Sequence, residues 1–181
     1  MRSKFYQIAA ALVVSGMMSG LYAAEPENLF PPVGKVTDAK GGGWYTNRTA
    51  GIEAKHTCDE AAQALALETK GASGYADWRC NVPLAPGAYT FGAVFSGKST
   101  DGRFSIAAYS FGADKPRLLG SLPLPSGTLN EYPVLMHIKV PEGSKFVRFD
   151  LTSSKSGVVR IVKPVLYAGH HTLKELKPEQ K

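Results

Sequence analysis

Val82-Pro83-Leu84-Ala85-Pro86-Gly87-Ala88-Tyr89-Thr90-Phe91-Gly92-Ala93-Val94-Phe95-Ser96-Gly97 joins a proline-glycine turn to a run whose Tyr89, Phe91, Ala93 and Phe95 share one face. Strict alternation over that length is the period of a half-buried strand, and Pro86-Gly87 supplies the turn before it. The grammar returns at Pro141-Glu142-Gly143, ahead of Phe146-Val147-Arg148-Phe149-Asp150-Leu151. Working outward, strands are expected at Val33 to Thr37, Gln63 to Thr69, Asp77 to Leu84, Arg103 to Phe111, Arg117 to Leu122, Val134 to Val140, Lys145 to Leu151 and Val158 to Tyr167. Asp59 to Gln63 reads as a short turn or helical piece, and Pro123 to Tyr132 as a loop. Eight to ten short strands with turns between them predict an all-β, single-domain antiparallel β-sandwich of jelly-roll type.

The first residues predict export. Arg2 and Lys4 precede an apolar run from Ile8 to Met18, followed by small residues that end at Ala23 and Ala24. This order is that of a cleaved signal peptide, and the run is short for the roughly 30 Å of a bilayer core. Residues 1–24 are therefore read as a leader cleaved near Ala23 or Ala24, 25–169 as the sandwich and 170–181 as a flexible charged tail. The mature protein is expected to be secreted or periplasmic, with no membrane span. Loss of Arg2 and Lys4 lowers the formal net charge from +6 to +4. The remaining basic residues are scattered, which argues against nucleic acid as a partner. The two cysteines, Cys58 and Cys80, form an even pair in an exported chain and are expected to make a disulfide.

Asn28-Leu29, then Leu84-x-Pro86-Gly87-x-Tyr89-Thr90-Phe91, then Val158 to Leu166 follow a recognisable order. It resembles the jelly-roll carbohydrate-binding modules of the galactose-binding-domain-like group that accompany xylanases and cellulases. The resemblance runs from Asn28 to about Gly169 and implies a glycan groove across one sheet. It also implies a structural calcium, but where such modules carry aspartates in the last strand this chain has Lys163-Pro164. A lysine offers no oxygen to a cation that takes six to eight of them, so no metal and no cofactor are assigned.

Glycan binding needs flat apolar faces and planar polar groups. Trp44 and Tyr45 sit beside the glycines at 41–43, and Tyr75 precedes Asp77-Trp78-Arg79. If Trp78, Cys80 and Val82 face the core, Asp77, Arg79 and Asn81 face away from it. By the same parity Tyr109 opposes Phe104 and Ile106, and His137 opposes Met136 and Ile138; Tyr132 stands in the proline-flanked loop. The expected ligand-binding set is Trp44, Tyr45, Tyr75, Asp77, Arg79, Tyr109, Tyr132 and His137. No residue is assigned a catalytic role. Asp59 and Glu60 are adjacent and would point apart on a strand, whereas hydrolysis needs carboxylates facing across a cleft; no Gly-x-Ser-x-Gly occurs. His170-His171 invites a metal reading, but the linear sequence places no third ligand beside it. The expected function is non-catalytic binding of a polysaccharide or oligosaccharide. The competing expectation is a protein-interaction sandwich of the bacterial envelope, without a sugar site.

Overall fold

Apolar and polar residues alternate through ten strands of the computed structural model, which describes residues 26–34, 37, 42–99, 103–112 and 115–176. The expected signal peptide lies outside these residues. The strands are β1 (Trp44–Arg48), β2 (Glu53–Asp59), β3 (Ala64–Lys70), β4 (Tyr75–Val82), β5 (Gly87–Ser99), β6 (Arg103–Phe111), β7 (Arg117–Pro123), β8 (Thr128–Val140), β9 (Phe146–Ser154) and β10 (Gly157–Ala168). They form two five-stranded sheets, sheet A in the order β1-β4-β9-β6-β7 and sheet B in the order β2-β3-β10-β5-β8. Every strand pairing is antiparallel. After β3 the chain changes sheet at each connection except β6 to β7, so strands distant in sequence lie side by side.

The inward faces meet in one core. Leu65, Leu67, Phe91, Phe95 and Ile161 of sheet B face Trp78, Cys80, Phe104, Ile106, Phe149 and Leu151 of sheet A, all buried. The inward set expected from Val82 to Gly97 is the one observed: Tyr89, Phe91, Ala93 and Phe95 are all buried. Phe30 closes one end, edge-on to Phe91 and Phe149 at ring-centroid distances of 5.9 and 4.9 Å. Asn28 ties this N-terminal segment to β10. Its Oδ1 accepts from Leu166 N (2.9 Å) and Phe30 N (3.1 Å), and its Nδ2 donates to Pro164 O (3.2 Å). Pro164 lies in a bulge between Val162 and Val165 where Lys163 adopts φ 47°. Lys163 N donates to Gln63 O there (2.9 Å).

Several expectations give way to tertiary context. Of the turn or helical piece expected at Asp59 to Gln63, the turn is the one that forms, between β2 and β3. Ala62 N bonds to Asp59 Oδ1 (3.0 Å), and Gln63 takes φ 47° with its amide bridging both the N–H and the C=O of Val33. β2 lies upstream of this turn, in a segment with too few apolar residues to register as a strand. Val33, Gly34 and Thr37 lie outside any strand. Thr128 to Tyr132, expected as loop, extends β8 along β5. The disulfide is corrected. Cys58 on β2 is exposed and donates its thiol to Gly34 O (3.0 Å), while Cys80 on β4 is buried in the core, and both thiols are free. An even count of cysteines is a statement about compartment, and here the fold leaves one thiol exposed and encloses the other in the core. Within the expected tail, His171 N bonds to Thr90 Oγ1 (3.0 Å) and Leu173–Leu176 forms a single helical turn, α1. No helix among the described residues is long and apolar enough to cross a membrane.

Candidate functional site

Strand parity turns a second set of side chains outward on sheet A, and pairing lines them up in rows. Tyr45, Arg79, Asp150, Ala107 and Ser121 occupy one row across β1, β4, β9, β6 and β7. Asn47, Asp77, Thr152 and Ser105 form the next row, and Asn81, Arg148 and Tyr109 the row on the other side. The middle of the sheet thus carries charged and aromatic groups, while Ser105, Ala107 and Ser121 leave space beside them. The result is a shallow depression of about 340 Å³, lined by Tyr75, Asp77, Arg79, Tyr109, Arg148 and Asp150 with these small residues.

The four charges form a chain. Arg79 Nη2 lies 3.0 Å from Asp77 Oδ2, and Arg79 Nε is 3.6 Å from Asp150 Oδ1. Arg148 grips Asp150 with both Nε (2.7 Å) and Nη2 (2.9 Å), the two-pronged geometry that gives strong charge-assisted bonds. The Arg148 guanidinium also stands over the rings of Tyr109 and Phe111, at 5.4 and 4.9 Å from their centroids, within cation–π range. Phe111 is in turn stacked on Phe146. Tyr45 donates its hydroxyl to Asn81 Oδ1 (3.1 Å).

Burial and neighbouring charge pull against each other on this floor. Asp77 is 1% exposed, and loss of solvent pushes its carboxyl above the usual range despite the opposing Arg79 charge. Burial alone would lower Arg79, but the carboxylates of Asp77 and Asp150 outweigh it and hold the guanidinium charged. Burial also raises the Tyr45 phenol. Asp77 Oδ1 and Arg79 Nε are buried without a hydrogen bond. Buried groups left unpaired in this way are costly.

Tyr45, Tyr75, Asp77, Arg79 and Tyr109, five of the eight residues expected to bind ligand, meet on this one face. The other three do not. Trp44 is buried in the core, its indole Nε1 donating to Pro31 O (3.2 Å); of two adjacent residues on a strand only one can face outward, and that one is Tyr45. Tyr132 and His137 lie on β8, in the opposite sheet. Sequence reasoning missed Arg148, Asp150 and Thr152. The signal was present: Arg148-x-Asp150-x-Thr152 alternates with buried Val147, Phe149 and Leu151 as Asp77-x-Arg79 does with Trp78 and Cys80. Tyr109 has one face covered by Arg148, so the open ring of the groove is Tyr75, 40% exposed at its end. Among the described residues no group of three or more His, Cys, Asp or Glu side chains converges as a metal cage.

No protein-family model and no curated protein matches the sequence. Solved structures do match. A putative sugar-binding protein from Bacteroides thetaiotaomicron aligns over 79% of this chain and 100% of its own, with a TM-score of 0.54 and 16% identity. A family 61 carbohydrate-binding module, solved with β-1,4-galactotriose, aligns over 79% of this chain and 99% of its own, with a TM-score of 0.51 and 12% identity. The enzymatically active domain of tailspike protein 4 from bacteriophage CBA120 aligns over 76% of this chain at a TM-score of 0.51 and 15% identity, but this chain spans only 22% of that one. At such identities the likeness is one of fold. That fold is the two-sheet jelly roll of carbohydrate-binding modules, the architecture that the turn-strand grammar of the sequence resembles.

Proposed function

We propose that the outer face of sheet A binds a glycan without catalysis. The observation that carries this reading is the convergence of Tyr75 and Tyr109 with the linked Asp77, Arg79, Asp150 and Arg148 in one groove. Tyr75 offers an open ring to sugar C–H groups, and the Asp–Arg chain offers fixed donors and acceptors to hydroxyls. The two carboxylates and two guanidinium groups cancel in charge and are already paired. The groove therefore suits a neutral sugar better than a uronate, which would need an uncommitted cation. A depression of about 340 Å³ is at the small end of ligand sites, suited to a short stretch of chain. Affinity in the micromolar to millimolar range, about 4 to 8 kcal/mol, fits an open groove of this kind. Both carboxylates are engaged by arginine, an arrangement that favours recognition over acid–base work. Secretion or periplasmic export, directed by residues 1–24, is part of the proposal. N-terminal sequencing of the exported protein tests it, with a start near Ala24 or Glu25 expected.

A glycan array probed with the protein tests the binding reading. Binding to neutral oligosaccharides, weakened at least tenfold in both Tyr75→Ala and Arg79→Ala, is the expected result, about 1.4 kcal/mol or more each. Silence across neutral, acidic and amino sugars would sink it. Trp44→Ala is unsuitable for this purpose, because it empties the core. A second reading, a protein-interaction module, draws on exposed Val94, Val158 and Tyr132 of sheet B. Capture of an envelope partner that survives Tyr75→Ala but not Val158→Glu would favour it.

A further inference from the structure

The charges on the floor of the groove cancel, but the end where Tyr75 stands is positive. Register puts Tyr75 of β4, Ser154 of β9 and Arg103 of β6 in one row across sheet A, the row beyond Asp77, Thr152 and Ser105. Parity turns all three outward, since Ala76, Ser153 and Phe104 between the two rows are buried. Ser154 is small, and its hydroxyl is occupied by the backbone of Arg103: it accepts from Arg103 N (3.1 Å) and donates to Arg103 O (3.3 Å). The row is therefore a slot with an aromatic wall, a low floor and a cationic wall. Two strand spacings, about 9.5 Å, separate the backbones of the two walls. Arg103 also differs from the arginines of the floor. Arg79 and Arg148 are held by Asp77 and Asp150, whereas Arg103 is exposed and makes no ion pair among the described residues. The turn between β9 and β10 brings a second such charge. Lys155 N donates to Gly74 O (3.4 Å), which sets this exposed residue beside the start of β4.

We propose that this end of the groove is a subsite for an acidic sugar: a uronate unit stacks on Tyr75 and places its carboxylate on Arg103, at one end of a glycan that is otherwise neutral. The inference rests on the glycan reading of sheet A and names the class of chain that the face selects. A pyranose ring lays its C–H face on the tyrosine, and an equatorial carboxylate projects sideways from a ring stacked in this way. The guanidinium across the slot takes that group through two parallel N–H bonds. Lys155 adds attraction as a point charge. Neutral units follow along the floor, where both arginines are already paired. The acid nearest along β4, Asp77, is buried and bonded to Arg79, so it leaves the charge of Arg103 to the ligand.

The test measures affinity by calorimetry for matched pairs of oligosaccharides. Gluco-, galacto- and manno-oligosaccharides are each compared with the counterpart oxidised to the uronate at C6 of one terminal unit. In the pair that binds, the uronate member is expected to bind at least about threefold tighter, within the range of an exposed ion pair. That preference narrows at high salt, as screening requires. In Arg103→Gln the acid-to-neutral ratio falls to about one, and Lys155→Gln lowers it in part. Lys139→Gln, on sheet B, keeps the wild-type ratio. A wild-type ratio below about threefold, or one that survives Arg103→Gln, overturns the acidic subsite and leaves the glycan groove standing. Binding to no member of any pair overturns both.

Discussion

Asp150→Asn is the sharpest perturbation of the groove, because one carboxylate serves two guanidinium groups. Asp150 is 6% exposed. It accepts two bonds from Arg148 at 2.7 and 2.9 Å and stands 3.6 Å from Arg79 Nε. Hydrogen bonds to charged groups are worth roughly 1.5–3 kcal/mol each, and breaking a buried pair leaves the partner's charge uncompensated. The asparagine keeps one neutral acceptor, which recovers about 1 kcal/mol. The balance is a loss of about 3 kcal/mol, read as a shift of the urea midpoint at constant slope. Arg148→Met in the same background completes a double-mutant cycle, and a coupling above about 1 kcal/mol between the two sites is expected. The substitution also leaves the groove net positive, because Asp77 alone then faces two guanidinium groups, so glycan selectivity shifts toward uronates. A loss below about 1 kcal/mol, the range of solvent-exposed pairs, would refute the inference that this network is a buried, mutually dependent unit.

Three further outcomes follow from residues away from the groove floor. Cys58 reacts with a thiol reagent in the native protein, whereas Cys80, pushed up to about 12 by burial, reacts only after unfolding; equal rates, or no free thiol, would contradict the unpaired assignment. Gly97→Ala costs on the order of 3 kcal/mol in denaturant titration, because at φ +153° its Cβ would lie 2.1 Å from Val158 O and 2.9 Å from Val159 Cα, and an unchanged midpoint would mean that β5 and β10 are not so closely paired there. Burial lowers the His56 imidazole below 6.5 while its ring lies 3.1 Å from Asp77 O and edge-on to Trp78. The unfolded chain therefore binds the proton more readily, so stability is full above the unfolded value and falls as the pH drops through the lowered one; His56→Gln flattens that slope, and an identical slope in the variant would remove His56 as its cause.

Period-two alternation is a local property, and what it determines was legible. Phe104, Ile106 and Ala108 lie inward and Ser105, Ala107 and Tyr109 outward along β6, and Trp78, Cys80 and Val82 lie inward on β4. Parity was read correctly for Tyr109 and for His137 alike. It could not say that β6 belongs to sheet A and β8 to sheet B, because that choice rests on pairing between distant segments. The same blindness produced the disulfide, since the cysteines were counted along the chain while the fold left Cys58 exposed and buried Cys80. At Asp59 to Gln63, where turn and helical piece were both open, the turn prevails for another reason. Its helical propensity amounts to a few tenths of a kcal/mol per residue, less than the bonds Gln63 makes to Val33 and Glu60.

Sheet membership also explains why a groove with no motif of its own can still be specific. Asp77-x-Arg79 and Arg148-x-Asp150 are each an ordinary pair of charges on an exposed strand face. Each guanidinium reaches a carboxylate on its own strand, but antiparallel register sets Arg79 opposite Asp150 and Asn81 opposite Arg148, and only then do the two pairs join into one chain. A one-residue slip of β9 against β4 would turn Arg148 and Asp150 into the core beside Phe91 and Phe95, where unpaired charges are far more costly than any sugar contact could offset. The buried residues between them, Val147, Phe149 and Leu151, therefore specify the register that assembles the groove. Substitutions among those three alter recognition without touching the ligand face.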